Sequence, residues 1–563
     1  MQRRRGPAHI SPPIQSPLRM SSDEKQSRLN QRHFGVKARV WVLLGLFIVV
    51  ISLLHYVLPT AQTSKPYTTV NLKSKNYLNN THADPNPFEF CPVYGPGDAV
   101  GAKYGALKLS QSRMHLGSSA RVNRVLNRAL AGQPVTISVL GGSVSACHGA
   151  GDDPVAPRCY PSRFFQWWNS VFPHPASELT NGAMRRTNSA YYGYCSMHHI
   201  PDVTDLIIVE LDSDDPADKE MMEHFETLIR SLLIRPDQPA VILLGHFSPQ
   251  VHESSGFAGP DHWHNVVAQF YDVAHISTKS ALYSDYMSDP ESVSKYFVDP
   301  ILASPLGHEL LSDVLVAYFQ AQICSAWAVA TGSSYETVPN RLDDNGGLGD
   351  VHGLFGGVGQ RKGVPEPGDE GKEEVDAEGN RVKPQLLPPT SNAYVPPLHV
   401  PPGRINTRPK SDVPFEEIAP YCVSANDLIN PLPPSLFYGS GWYAAHPQTG
   451  SGAMQATSHY WYSSLPLSKI RIPIQVGAGD IGVYYLEEPT SSVGAGSAVE
   501  CWVDDNYAGA KVLENAAEVG EPVAKLDLID HFVSRGSHFI ECQLLGEEGQ
   551  TVPAFKIIGV FAT

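Results

Sequence analysis

VTISVLGGSVS, residues Val135–Ser145, is the stretch whose reading decides the fold. Val135–Leu140 is a short β-branched run without charge, and Gly141-Gly142 ends it at a turn. A strand that is apolar on both faces belongs inside a sheet covered on both sides, the usual setting of a parallel sheet. Two more strands of this kind follow, DLIIVEL (Asp205–Leu211) and AVILLGH (Ala240–His246). Helical stretches lie between and before them. In SSARVNRVLNRALAG, Val122, Val125, Leu126, Ala129 and Leu130 recur at helical spacing, and KEMMEHFETLIRSLLI begins at Lys219. Alternating helices and apolar strands predict an α/β domain over residues 91–330, a parallel sheet flanked by helices.

The rest of the chain divides by composition. Residues 331–420 hold GGLGDVHGLFGGVGQRKGVPEPGDEGKEEVDAEGN and PPTSNAYVPPLHVPPG, which lack apolar periodicity and read as a Pro/Gly-rich linker. In residues 421–563, Ile470, Ile472, Ile474 and Val476 alternate with other residues, as do Ile481, Val483 and Tyr485. Gly, Asp and Pro clusters separate these runs, so this region is expected to be an all-β sandwich, with Cys501 and Cys542 placed to bridge its strands.

Toward the N-terminus, residues 60–90 are polar and Asn/Pro-rich and read as a stem. Val40–Pro59 (VWVLLGLFIVVISLLHYVLP) has no Asp, Glu, Lys or Arg. It matches the ~20 residues of a membrane-crossing helix. Residues 1–39 contain nine Lys and Arg against Asp23 and Glu24, a basic tail that belongs on the cytoplasmic side. The expectation is a single-pass type II protein of the Golgi or plasma membrane, with its body lumenal or extracellular. All eight Cys lie beyond Val40–Pro59, an even number suited to disulfides in an oxidising compartment. Asn79-Asn80-Thr81 is an acceptor sequon on the same side. The net charge of -15 argues against a nucleic-acid partner, which would need clustered cations.

Ser143 is the sharpest chemical signal. A serine on a strand-to-helix turn presents its hydroxyl above the carboxyl ends of a parallel sheet, where ligands usually bind. The backbone N–H beside it can stabilise an oxyanion. Further blocks follow in order: Asn181-Gly182-Ala183, then DLIIVELDSDDP (Asp205–Pro216), then DPILASPLGH (Asp299–His308). With the GGS turn they resemble the SGNH (GDSL-like) hydrolases over roughly residues 91–330, and in particular a fungal membrane-anchored subgroup with a C-terminal β domain. The resemblance implies Ser143 as nucleophile and the N–H groups of Ser143 and Gly182 as oxyanion donors. It implies Asp299 as the acid that orients a catalytic histidine, and no cofactor or metal. Its activity would be acyl-ester hydrolysis or O-acyl transfer on a cell-wall or capsular glycan in the secretory pathway. The expected partners are therefore a membrane, through Val40–Pro59, and a polysaccharide.

Two positions depart from the family pattern. The third-block Asn is Asp214, and an ionised carboxylate repels an oxyanion where an amide would donate to it. The catalytic His is Leu302, followed by Ala303 in place of Pro. The later Gly-His retains His308, which is structural in the family pattern, and His198, His199, His246, His262 and His264 are other candidate bases. These losses predict impaired catalysis or a glycan-binding pseudoenzyme. A different chemistry is also written here: Asp212-Ser213-Asp214 is an Asp-x-Asp after an apolar strand, as in Mn²⁺-dependent Golgi glycosyltransferases. In the β region, Trp442, Tyr443, Trp461, Tyr462 and Trp502 are candidates for stacking on sugar rings. CWVDDN (Cys501–Asn506) carries adjacent acids of Ca²⁺-ligand type.

Overall fold

The computed structural model describes residues 32–33, 36–57, 67–80, 86–331, 374–375, 381–382, 398–408, 415, 417, 419–425, 438–445 and 457–563. Residues 1–66 and 67–563 form separate compact units. In the first, Ala38–Val57 is a 20-residue α-helix whose side chains over Val40–Val49 are exposed. Most of the basic tail and of the linker over 331–420 lies outside the described residues.

The second unit begins on a six-stranded sheet. Its strands are β1 (Arg113–His115), β2 (Thr136–Gly141), β3 (Glu178–Asn181), β4 (Leu206–Glu210), β5 (Ala240–Gly245) and β6 (Ala274–Ser277). They lie in the order β1-β6-β5-β4-β2-β3, and every pairing is parallel except that of β1 with β6. All residues of β4 and β5 are buried, because each face of the sheet has its own core. Ile137, Ile208 and Ile242 point into the first core, with helices Ala120–Leu130, Tyr160–Val171 and Pro305–Ala330. Ile207, Val209, Val241 and Leu243 point into the second, with helices Ser189–Cys195, Lys219–Leu233 and Pro260–Tyr271. Pro305–Ala330 is long and apolar enough to cross a membrane, but over half of its apolar window is buried in the protein, as befits a core helix.

The C-terminal region is a sandwich of two sheets, antiparallel apart from a two-residue pairing at Glu488–Pro489. One sheet is built on Lys469–Val476, Gly536–Leu544 and Ala498–Val503; the other is built on Tyr460–Ser463, Phe555–Ala562 and Ile481–Pro489. Ile470, Ile472, Ile474 and Val476 fill the space between the sheets, as their alternation predicts. Ile481, Val483 and Tyr485 do the same. Tyr484, between them, and Leu486, just after them, are buried as well, in the second core of the α/β region. That strand is therefore covered on both faces. Tyr484 and Phe561 of the sandwich meet Tyr191 and Tyr194 of the α/β region with ring centroids 5.1–5.8 Å apart.

All eight cysteines form disulfides: Cys91–Cys324, Cys147–Cys159, Cys195–Cys422 and Cys501–Cys542. The last joins directly paired residues of neighbouring strands, as the sequence indicates, and Cys195–Cys422 ties the α/β region to the sandwich.

Two segments differ from their expected roles. Part of the stem is docked: Tyr77 and Phe88 are buried in the first core, and the Tyr77 hydroxyl donates to the Val171 carbonyl. Asn79 beside them is exposed. The end of the linker is docked too, because Arg230 donates to the carbonyls of Pro401 and Gly403 and to the Glu417 carboxylate. Single aromatic anchors in a polar run leave no periodicity to read.

Candidate active site

From β2 the chain steps outward to β3, and from β4 it steps the other way to β5. The carboxyl ends of β2 and β4 therefore bound the crevice where the winding reverses, the common ligand site of open α/β sheets. Ser143 follows β2 into this crevice and Asp214 follows β4. Gly142 makes the approach possible: a Cβ there would lie 1.9 Å from Asp214 Oδ2.

Asp214 takes both donors of Ser143. The Ser143 hydroxyl donates to Oδ1 at 2.9 Å and its backbone N–H to Oδ2 at 2.8 Å. The Ser213 hydroxyl also donates to Oδ2, at 2.6 Å. Burial pushes the Asp214 carboxyl above its usual range; the Ser213 and Ser143 donors pull the other way, and the charge of Asp215 adds to the rise. Ser143 Oγ in turn accepts the Arg186 N–H at 3.0 Å. Arg186 has the left-handed φ of 54°, uncommon for a side chain of this size. Its guanidinium reaches Glu521 of the sandwich at 2.7 Å.

The second expected oxyanion donor is also engaged. The Gly182 N–H donates to the Val139 carbonyl at 2.9 Å, so it continues the β2–β3 ladder rather than facing the crevice. Neighbouring Asn181 braces the turn, its amide donating to the carbonyls of Ser145 and Pro154 at 2.9 Å each.

The other acids of the β4 loop have separate partners. Asp212 and Asp215 grip His264 from both sides, Oδ1 of Asp212 to Nδ1 at 2.7 Å and Oδ2 of Asp215 to Nε2 at 2.9 Å. Burial alone would depress the His264 pKa, but the two carboxylates outweigh it and raise it to about 10. His264 is thus an imidazolium with both N–H groups donated, stacked on Phe225 at 3.8 Å. It has no lone pair for Ser143. Asp212 and Asp214 consequently face different partners, His264 and Ser143, and do not present the paired oxygens of a Mn²⁺ site. Glu210, the last residue of β4, is pushed up to about 8 by burial and by the charges of Asp214 and Asp212.

His246 and His308 are both buried and neutral. Burial lowers His246 to about 4, and its Nε2–H donates to the Ile301 carbonyl at 2.8 Å. Burial lowers His308 to about 3, and its Nδ1 accepts the Tyr160 N–H at 3.3 Å. Its described hydrogen bonds go to the Cys147–Cys159 region and not to Ser143. His199 is buried against the Tyr191 hydroxyl, and His262 is exposed on its helix.

Asp299 accepts the N–H groups of Ile301 and Leu302 at 2.8 and 2.7 Å, which makes it the cap of a tight turn. Leu302 packs in the first core. Among the aromatic candidates, Trp461 and Trp502 are buried, whereas Tyr443 is 57% exposed and pairs across strands with Tyr462. In CWVDDN, Asp504 is held by His538 and by the Phe539 N–H. The partners missed from sequence are Glu210, Ser213, Asp215 and Arg186. Only Glu210 left a trace, as a lone acid closing an apolar strand.

No family model matches the chain, and no curated protein does. Its fold resembles that of solved structures. A two-domain esterase (CEX) active on acetylated mannans aligns at 19% identity with a TM-score of 0.53. The same kind of enzyme co-crystallised with mannopentaose aligns at 17% and 0.52. Each alignment covers 81% of this chain and 98% of the other, so the likeness spans both the α/β region and the sandwich. At this level of identity the shared property is the fold.

Proposed function

We propose that this chain hydrolyses acyl esters on an O-acylated polysaccharide, with Ser143 as nucleophile. Where a sugar hydroxyl replaces water in the second step, the same site would transfer the acyl group. One observation carries the reading: at the switch point of the sheet, the Ser143 hydroxyl already donates to a buried carboxylate at 2.9 Å. The activity of the two-domain esterase of similar fold on acetylated mannans supports an O-acetyl glycan as substrate. The test is acetate release from acetylated mannan and xylan by the full-length chain. Ser143→Ala is expected to reduce release to about 1% or less, because the reaction cannot begin without its nucleophile. Undiminished release by Ser143→Ala would place the chemistry elsewhere.

A second reading is favoured by the engagement of both oxyanion donors and by Leu302: a glycan-binding protein without turnover. It predicts saturable binding of the same oligosaccharides with no acetate released.

We further propose that the body lies on the lumenal or extracellular side, a reading that four disulfides and the basic tail before Val40–Pro59 support. Protease added to sealed microsomes should remove only a short N-terminal piece. Digestion of the bulk of the chain would invert the topology.

A further inference from the structure

The hydrolytic reading leaves Ser143 without the histidine that such a serine normally uses, since Leu302 stands at that position and His264, His246 and His308 are committed elsewhere. Among the described hydrogen bonds, the Ser143 hydroxyl donates to one acceptor, Asp214 Oδ1. We propose that Asp214 is the general base of Ser143, a serine–aspartate dyad in place of a serine–histidine pair; the proposal rests on the esterase reading.

The step balances without any further reactant. Ser143 Oγ forms a bond to the acyl carbon, its proton passes to Asp214 Oδ1, and the carbonyl electron pair becomes the oxyanion. On collapse, the bond from the acyl carbon to the sugar oxygen breaks, and that oxygen takes the proton from Asp214. The acyl group then sits on Ser143. Water repeats the sequence: it gives its proton to Asp214, attacks the acyl carbon, and Ser143 Oγ leaves with that proton.

This assignment removes the conflict posed by a carboxylate beside an oxyanion. In the resting site the negative charge is on Asp214, and the Ser143 N–H points at it. Proton transfer moves the charge to the substrate oxygen and leaves Asp214 neutral. A neutral carboxyl oxygen is the weaker acceptor, so the Ser143 N–H becomes available to the oxyanion when the oxyanion appears. Burial helps at both ends, since a desolvated carboxylate is a stronger base than one in water.

Several titratable groups surround this carboxylate. Glu210, Asp212 and Asp215 stand on its own segment, with His264 paired to Asp212 and Asp215. Tyr192 comes from helix Ser189–Cys195 and Tyr484 from the sandwich. Burial, with the charge of Asp215, holds the Asp214 carboxyl above its usual range, so its ionised form is lost at a higher pH than an ordinary aspartate's.

The experiment compares the full-length chain with Asp214→Asn, measuring kcat, KM and pH dependence on acetylated mannan, with a melting curve for each protein. Asparagine keeps the shape but cannot take a proton. Expected are a fall in kcat of about 100–10,000-fold with little change in KM, and unsubstituted activity that declines on acidification. If Asp214→Asn keeps or gains Ser143-dependent activity, or if the unsubstituted rate rises on acidification, the dyad is wrong while the esterase reading stands. If the unsubstituted chain releases no acetate through Ser143, both fail. Should Asp214→Asn melt early, the pH profile of the unsubstituted chain decides alone.

Discussion

His264→Gln is expected to destabilise the α/β region by about 3–5 kcal/mol, because it leaves two buried carboxylates with no cation between them. Asp212 and Asp215 are both buried, and His264 serves one with each ring nitrogen. Glutamine is neutral and carries both of its N–H donors on one nitrogen, so it neither supplies the charge nor spans the two carboxylates as the ring does. The effect should depend on pH in a definite direction. The folded His264 pKa is raised to about 10 from an ordinary 6.5. Its contribution is therefore complete below 6.5 and is lost as pH rises through about 10. Denaturant melts at a series of pH values should show the largest gap between the two proteins at about pH 6.5 and just below, closing as pH rises toward 10. A constant gap would mean that the ring acts by packing on Phe225 and not by charge.

Phe561→Ala should cost about 3–5 kcal/mol, the usual range for deleting a buried aromatic ring. Phe561 is 1% exposed, on a strand of the sandwich, and its ring stacks on Tyr194 and Tyr484 and meets Tyr191 edge-on. Half of that cluster belongs to each region. A cavity there weakens both, so calorimetry should show one cooperative transition moved to lower temperature. Two transitions, with only the sandwich shifted, would mean that the regions are stable separately.

The parallel sheet was legible because β4 and β5 are charge-free up to Glu210 and Gly245. The sandwich was legible because Ile470, Ile472, Ile474 and Val476 keep strict alternation. That same rule understated Ile481–Pro489: Tyr484 and Leu486 face a second core that no period-two pattern encodes. The Ser143 turn could be found from its glycines. The resemblance put Asp214 in the oxyanion region of the site, but not the direct hydrogen bond that the Ser143 hydroxyl makes to it from 71 residues away. His264 looked like any other histidine until both of its carboxylates were in place. Asp299 had the spacing of an orienting acid, but without an imidazole at position 302 its carboxylate turns to the nearest backbone N–H groups.

The segment between residues 331 and 398 divides the chain into two compositional halves, but it does not divide the molecule. Of the four disulfides, Cys195–Cys422 alone spans that segment. A processing protease that cut there would yield a two-chain protein, its fragments held by one covalent link and by a common aromatic core. The mature species would run as one band without thiol and as two with it, and processing could occur without separating the serine from the sandwich.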